Sequence, residues 1–156
     1  MSIVDKSMTQ DAPIAQDAKA ELTRQLFAPV ADEMQQVEAL LAQELQSNTP
    51  LVDELLRYGC LMGGKRMRPA LVLLTAKALG EVNDSHIKLA AVVEMIHAAT
   101  LIHDDVLDEA AIRRHLATVN SRWDNKVAVL LGDYLFTHSF HPVSYTHLTL
   151  PTICSV

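Results

Sequence analysis

The chain has 156 residues, enough for one domain with a modest core, and a net charge of −6. Hydrophobic residues make up 49% of it and aromatic residues only 4%, with Ala and Leu dominant, which favours helices over sheets. Cys60 and Cys154 form neither a disulfide framework nor a zinc spacing, and no stretch alternates as a strand requires.

Residues 1–17 read as a mobile N-terminal tail. Asp5, Lys6 and Asp11 interrupt it, so it is not a signal peptide. An amphipathic helix is predicted over 18–46, with Leu22, Leu26, Val30, Met34, Val37, Leu41 and Leu45 as its apolar face. Pro29 should kink or split it. Thr49-Pro50 is a cap-and-first-residue pair that opens a helix to about Met62. Cys60 in that helix reads as a small packing residue in a reducing compartment.

Gly63 to Pro69 reads GGKRMRP. The glycines should stop one helix, and Pro69 suits the first position of the next, which Gly80 should end. Lys65, Arg66 and Arg68 then lie in a short loop at a helix N-terminus, where cationic side chains, backbone N–H groups and the dipole can together hold phosphate oxygens. Taken alone the cluster reads first as a solvated loop.

Asn83 or Asp84 should cap a helix over about 84–107. It contains EMIHAATLIHDDVLD, in which Glu94, His97, Leu101, Asp104 and Asp108 recur at spacings of 3 and 4 along one face. Asp104 and Asp108 repel at i, i+4, and both face the negative end of the helix dipole. Hard divalent cations such as Mg²⁺ remove both penalties, because they take oxygen ligands and bridge carboxylates to substrate phosphates. The bland reading is a solvated helix end. Arg113 and Arg114 follow within a few residues, so five of the 13 Lys and Arg lie in two short segments. Such concentration in an acidic chain points to a small, highly charged anion; a nucleic-acid groove wants an extended basic face. A last helix is predicted over 121–139. The apolar runs look too short, or too broken by Glu94 and His97, to span a bilayer, so the protein is expected in the cytoplasm.

The order GGKRMRP, ExxHxxxLxHDDxxD, RRxxxTxN (Arg113 to Asn120) and GDYLF (Gly132 to Phe136) resembles the first half of the trans-polyprenyl diphosphate synthases, most closely the bacterial long-chain, octaprenyl type. The resemblance runs from about Leu22 to Phe140. It implies an all-α fold, the N-terminal part of the isoprenoid synthase helical bundle. It also implies head-to-tail transfer, in which isopentenyl diphosphate is added to an allylic diphosphate such as farnesyl diphosphate to make a quinone side chain. Mg²⁺ would be the cofactor. By the same resemblance Asp104 and Asp108 match metal ligands and Asp105 a supporting acid. Lys65, Arg68 and His97 match the isopentenyl diphosphate site, Lys65 counting with Asp104 and Asp108 among the catalytic residues. Arg113 matches an allylic diphosphate binder and Arg114 an isopentenyl diphosphate binder. Glu94 is expected to orient His97 or Lys65, Arg66 to be solvated or capping, and His103 to be structural.

Ala99, Thr100 and Ile96, one turn or more before Asp104, are expected to line the product tunnel. The small Ala99 and Thr100 imply a product longer than farnesyl. Members of the family are homodimers, and VAVLLGDYLF is apolar enough to meet a partner. A terpene cyclase, or a non-catalytic helical subunit, is the alternative reading. A cyclase needs no second diphosphate site, which GGKRMRP would supply.

The expected helical domain is 18–142. From Val143 the chain reads VSYTHLTLPTICSV, with no helical period. Its first ten residues back-translate onto a transposon-end adapter used in DNA library preparation, so 143–156 are expected to be a non-native tail. The second aspartate-rich motif of the family would lie beyond it, and the fragment alone is expected to be inactive.

Overall fold

The computed structural model describes residues 21–60 and 64–144. The expected tail at 1–17, the Gly63 helix stop, Cys154 and residues 145–156 lie outside them.

Residues 21–27 are helical and pass through a 3-10 turn, Ala28–Val30, into α1 (Ala31–Glu44). Pro29 makes the expected split, since its missing N–H can be spared only where a helix begins. The split also divides the apolar stripe. Val30, Val37, Leu41 and Leu45 are buried, whereas Leu22 and Leu26 are each 56% exposed. Lys77 donates to the Pro29 carbonyl and to Glu33 at 3.1 Å, tying the start of α1 to α3.

The next helix, α2 (Pro50–Cys60), turns Leu55, Leu56 and Cys60 inward. Helix α3 (Met67–Leu79) begins two residues earlier than expected, so Pro69 is its third residue and not its first. The position still suits proline, because no N–H of the first turn has an intrahelical acceptor. Arg66 occupies the N-cap with φ 48, and Gly80 ends the helix at φ 153, a conformation few side chains tolerate.

Helix α4 (Asp84–Leu107) keeps the predicted bounds. Asn83 accepts from the backbone of Ser85 and His86, and His86 Nδ1 accepts in return from Asn83 N–H, closing a capping box. Its 24 residues span about 36 Å. By length and composition alone it is a candidate to cross a membrane, although Glu94 and His97 interrupt its apolar run. It is instead the hub of the bundle, packed against α1, α2 and α3 and against the helices that follow, with Glu94 and Asp105 buried.

After α4 comes a hairpin the sequence did not announce. Strand β1 (Ile112–Arg113) pairs antiparallel with β2 (Leu116–Ala117), Ile112 opposite Ala117 and Arg113 opposite Leu116. Its turn residues, Arg114 and His115, have φ 51 and 68, the left-handed pair a tight hairpin demands. The expected helix at 121–139 is two helices. Helix α5 (Val119–Arg122) stops at Trp123; Asp124 then accepts from Val127 N–H and starts α6 (Asn125–His138). A single turn, α7 (His141–Ser144), includes the first two residues of the expected tail. The core gathers Leu41, Leu56, Leu73, Met95, Ala99, Leu131 and Leu135 around α4.

Candidate active site

The basic loop, α4 and the hairpin meet at two adjoining hollows. Lys65, Arg66, Arg68 and Arg114 line a cleft of about 560 Å³ together with Gly64 and Met67. His97, Leu101, Asp105, Arg113 and Arg114 line a narrower pocket that shares Gly64, Arg66 and Arg114 with it. Arg114 reaches both because the left-handed turn projects it from the hairpin tip back toward the loop. Lys65, Arg68, Arg114, His97 and Arg113 are therefore brought together, and the cleft is cationic with polar walls.

Two readings of individual residues need correction. Arg66 is not solvated. Its side chain is only 16% exposed and bridges Glu38 at 2.7 Å and Glu94 at 3.0 Å. Burial works against its charge, but the two carboxylates outweigh it and hold the guanidinium above its usual value. Glu94 accordingly serves Arg66, with no hydrogen bond to His97. Glu38 and Glu94 each lie 28 residues from Arg66, beyond any local sequence signal.

The His97 pKa is lowered. Burial is the main cause, followed by the positive charge of Arg68; Glu94 opposes, and Arg114 and Arg113 add to the lowering. His97 is thus a neutral imidazole at pH 7, able to donate from one ring nitrogen to a phosphate oxygen. Cys60, on the floor of the pocket, has its thiol pushed up to about 12 by burial, against a smaller opposing effect of Arg66, and is inert.

The three aspartates divide. Asp105 is buried and accepts from Arg113 Nε at 2.7 Å. Asp104 and Asp108 stand exposed one turn apart, with no side-chain hydrogen bond or ion pair among the described residues. Two unengaged carboxylates on one open side suit a hard divalent cation; Asp105 has one oxygen committed to Arg113 and suits it less. The tunnel residues divide as well. Thr100 is exposed, about 40° around the helix from Asp104, and Ile96 is half-buried at about 80°. Ala99, at about 140°, is 1% exposed inside the apolar core. His103 turns onto α6, its Nε2 3.2 Å from the Val129 carbonyl and 3.5 Å from Asp133. A Cβ on Gly132 would lie 2.2 Å from that ring nitrogen.

Residues 49–154 match the Polyprenyl synthetase family. The chain belongs to the polyprenyl synthetase family. It is 42% identical over 121 residues to an all-trans-nonaprenyl-diphosphate synthase (geranyl-diphosphate specific) of Rhodobacter capsulatus, covering 77% of this chain and 37% of that one. It is 42% identical over 110 residues to the octaprenyl diphosphate synthase of Escherichia coli, covering 70% and 34%. In structure it resembles a decaprenyl diphosphate synthase from Rhodobacter capsulatus, with TM-score 0.73 and 43% identity over 78% of this chain and 38% of that one. It likewise resembles a polyprenyl synthase from Caulobacter crescentus solved with calcium and isoprenyl diphosphate, with TM-score 0.74 and 35% identity over 78% and 37%. The all-α architecture is that of the polyprenyl synthetases, and the chain spans little more than a third of the length of these relatives.

Proposed function

We propose that the chain is part of a long-chain polyprenyl diphosphate synthase whose intact parent adds isopentenyl diphosphate to an allylic diphosphate such as farnesyl diphosphate. The observation that carries this reading is the convergence of Lys65, Arg68 and Arg114 on one cleft beside neutral His97, with the unengaged Asp104 and Asp108 on the same helix as His97.

In this reading Lys65, Arg68 and Arg114 hold the isopentenyl diphosphate by charge-assisted hydrogen bonds, and His97 donates one more without adding charge. Asp104 and Asp108 would hold divalent metal, Mg²⁺ by preference, with Asp105 in support through its bond to Arg113. Bound there, the metal supplies charge neutralisation for a departing allylic diphosphate. Arg113 stands beside that position and adds to the same stabilisation. The double bond of isopentenyl diphosphate attacks the allylic carbon, the diphosphate leaves, and loss of a proton completes the elongated chain. The parent is proposed to act in the cytoplasm as a homodimer.

Incubation of the intact parent with radiolabelled isopentenyl diphosphate, farnesyl diphosphate and Mg²⁺ tests the reading. A butanol-extractable long-chain product is expected; no such product refutes it, and a cyclic product from the allylic diphosphate alone would make the protein a terpene cyclase. The growing chain is proposed to run past Thr100 and Ile96. Thr100→Phe in the parent should therefore shorten the product, read by chain-length chromatography; an unchanged distribution removes Thr100 from the tunnel wall.

A further inference from the structure

Away from the phosphate clefts, three potential metal ligands converge where α1 ends and α6 gives way to α7. Glu44 Oε2 lies 3.1 Å from His138 Nε2 and 3.1 Å from His141 Nδ1. One ligand atom from each of the three residues comes within 4.8 Å of the others. A tetrahedral zinc with bonds of about 2.0–2.1 Å sets its ligand atoms roughly 3.3 Å apart, so little movement is needed to seat an ion. Among the described residues this is the grouping of this kind; the aspartate motif does not form one by itself.

The arrangement is held in place. The His138 and His141 rings stack with centroids 5.4 Å apart, and Tyr134 stacks on His138 at the same distance. Glu44 is the last residue of α1, with its side chain only 11% exposed. Its carbonyl, 3.0 Å from His138 Nε2, belongs to the negative end of that helix. A half-buried carboxylate and a helix C-terminus favour a cation at the same point. A hollow lined by Tyr134, Thr137, Phe140 and Ser144 lies beside the two imidazoles.

We propose that Glu44, His138 and His141 form a divalent-metal site of the two-histidine, one-carboxylate kind, selective for Zn²⁺ over Mg²⁺ and independent of the aspartate motif. Selectivity follows from the donors: imidazole nitrogen suits zinc, whereas Mg²⁺ and Ca²⁺ prefer oxygen. Binding takes the lone pair of one nitrogen of each imidazole, with the proton on the ring nitrogen away from the metal. All three ligands precede residue 143.

Titration of the 156-residue chain with Co²⁺, a zinc surrogate with visible d–d absorption, tests the proposal. One equivalent should develop the band of a low-coordinate site. One equivalent of Zn²⁺ should discharge it, and millimolar Mg²⁺ should not. His141→Ala, at a side chain 55% exposed, should weaken binding by on the order of 100-fold with helical circular dichroism unchanged. Glu44→Gln should do the same, and Asp104→Asn with Asp108→Asn should leave the band intact. No band from the helical chain, a band that survives His141→Ala, or discharge by Mg²⁺ would each overturn the proposal.

Discussion

Arg66 is the residue on which the site is assembled. It ties the basic loop to α1 through Glu38 and to α4 through Glu94. Arg66→Ala leaves Glu94 buried without its cation and should cost about 2–3 kcal/mol, measured by urea unfolding, since an orphaned buried charge costs more than the pair contributes. His97 makes the stability pH-dependent in a defined direction. Its folded pKa lies below its unfolded value, so as pH falls through about 6.5 the unfolded chain takes up the proton first and stability declines until the lower folded pKa is passed. Urea midpoints should therefore drop between pH 7.5 and pH 5, and His97→Gln should flatten that part of the profile. An equally steep profile in the variant would remove His97 as the cause. At this scale the sequence reveals residue types better than partners. The acidic spacing and the basic loop were legible because periodicity and charge are local. The roles of Arg66 and Glu94 were not, because a 28-residue separation leaves no trace in either segment.

Elements were legible where a local device sets them. Asn83 and Asp84 place the start of α4 because the cap is written in adjacent residues. Asn83→Ala removes the acceptor for two backbone N–H groups and should cost about 1 kcal/mol of thermal stability; no change in Tm would mean that the box adds nothing beyond packing. The division at Trp123–Asp124 was readable in principle, since Asp124 is a good cap, but an apolar period running across it hid the break. The hairpin was not readable. Two residues per strand give no alternation, and Arg114 and His115 are not the Asn or Gly that left-handed turns usually carry. Thr118 and Asn120 hold it from behind, donating to the Ala110 carbonyl at 2.6 and 3.2 Å.

As a whole molecule the described chain is a bundle with an open side. Leu71, Leu79, Leu107, Leu130, Phe136 and Phe140 are exposed, and α6 buries only one of its faces, through Ala128, Leu131, Gly132 and Leu135. Mg²⁺ demands near-octahedral oxygen ligation, of which Asp104 and Asp108 would supply only part in the proposed reading. Residues 1–156 alone should give no measurable prenyl transfer, and should bind a hydrophobic dye and self-associate. Turnover by this chain in the radiolabel assay would show that one wall is enough. The proposed non-native tail is decided separately, by the source codons for 143–156.

The notch at Gly132 has a reach beyond its own helix. His103, Asp104 and Asp105 are consecutive, so each points about 100° from the next. The His103 ring seated in the notch joins the packing of the buried face in holding the angular phase of α4, as an indexing pin helps to hold a dial. With the pin home, Asp105 turns inward to Arg113 and Asp104 outward. A methyl group at position 132 would push the pin out, and the dial would be free to settle on another mark. The missing side chain on the neighbouring helix thus helps to keep Asp105 inward and Asp104 outward.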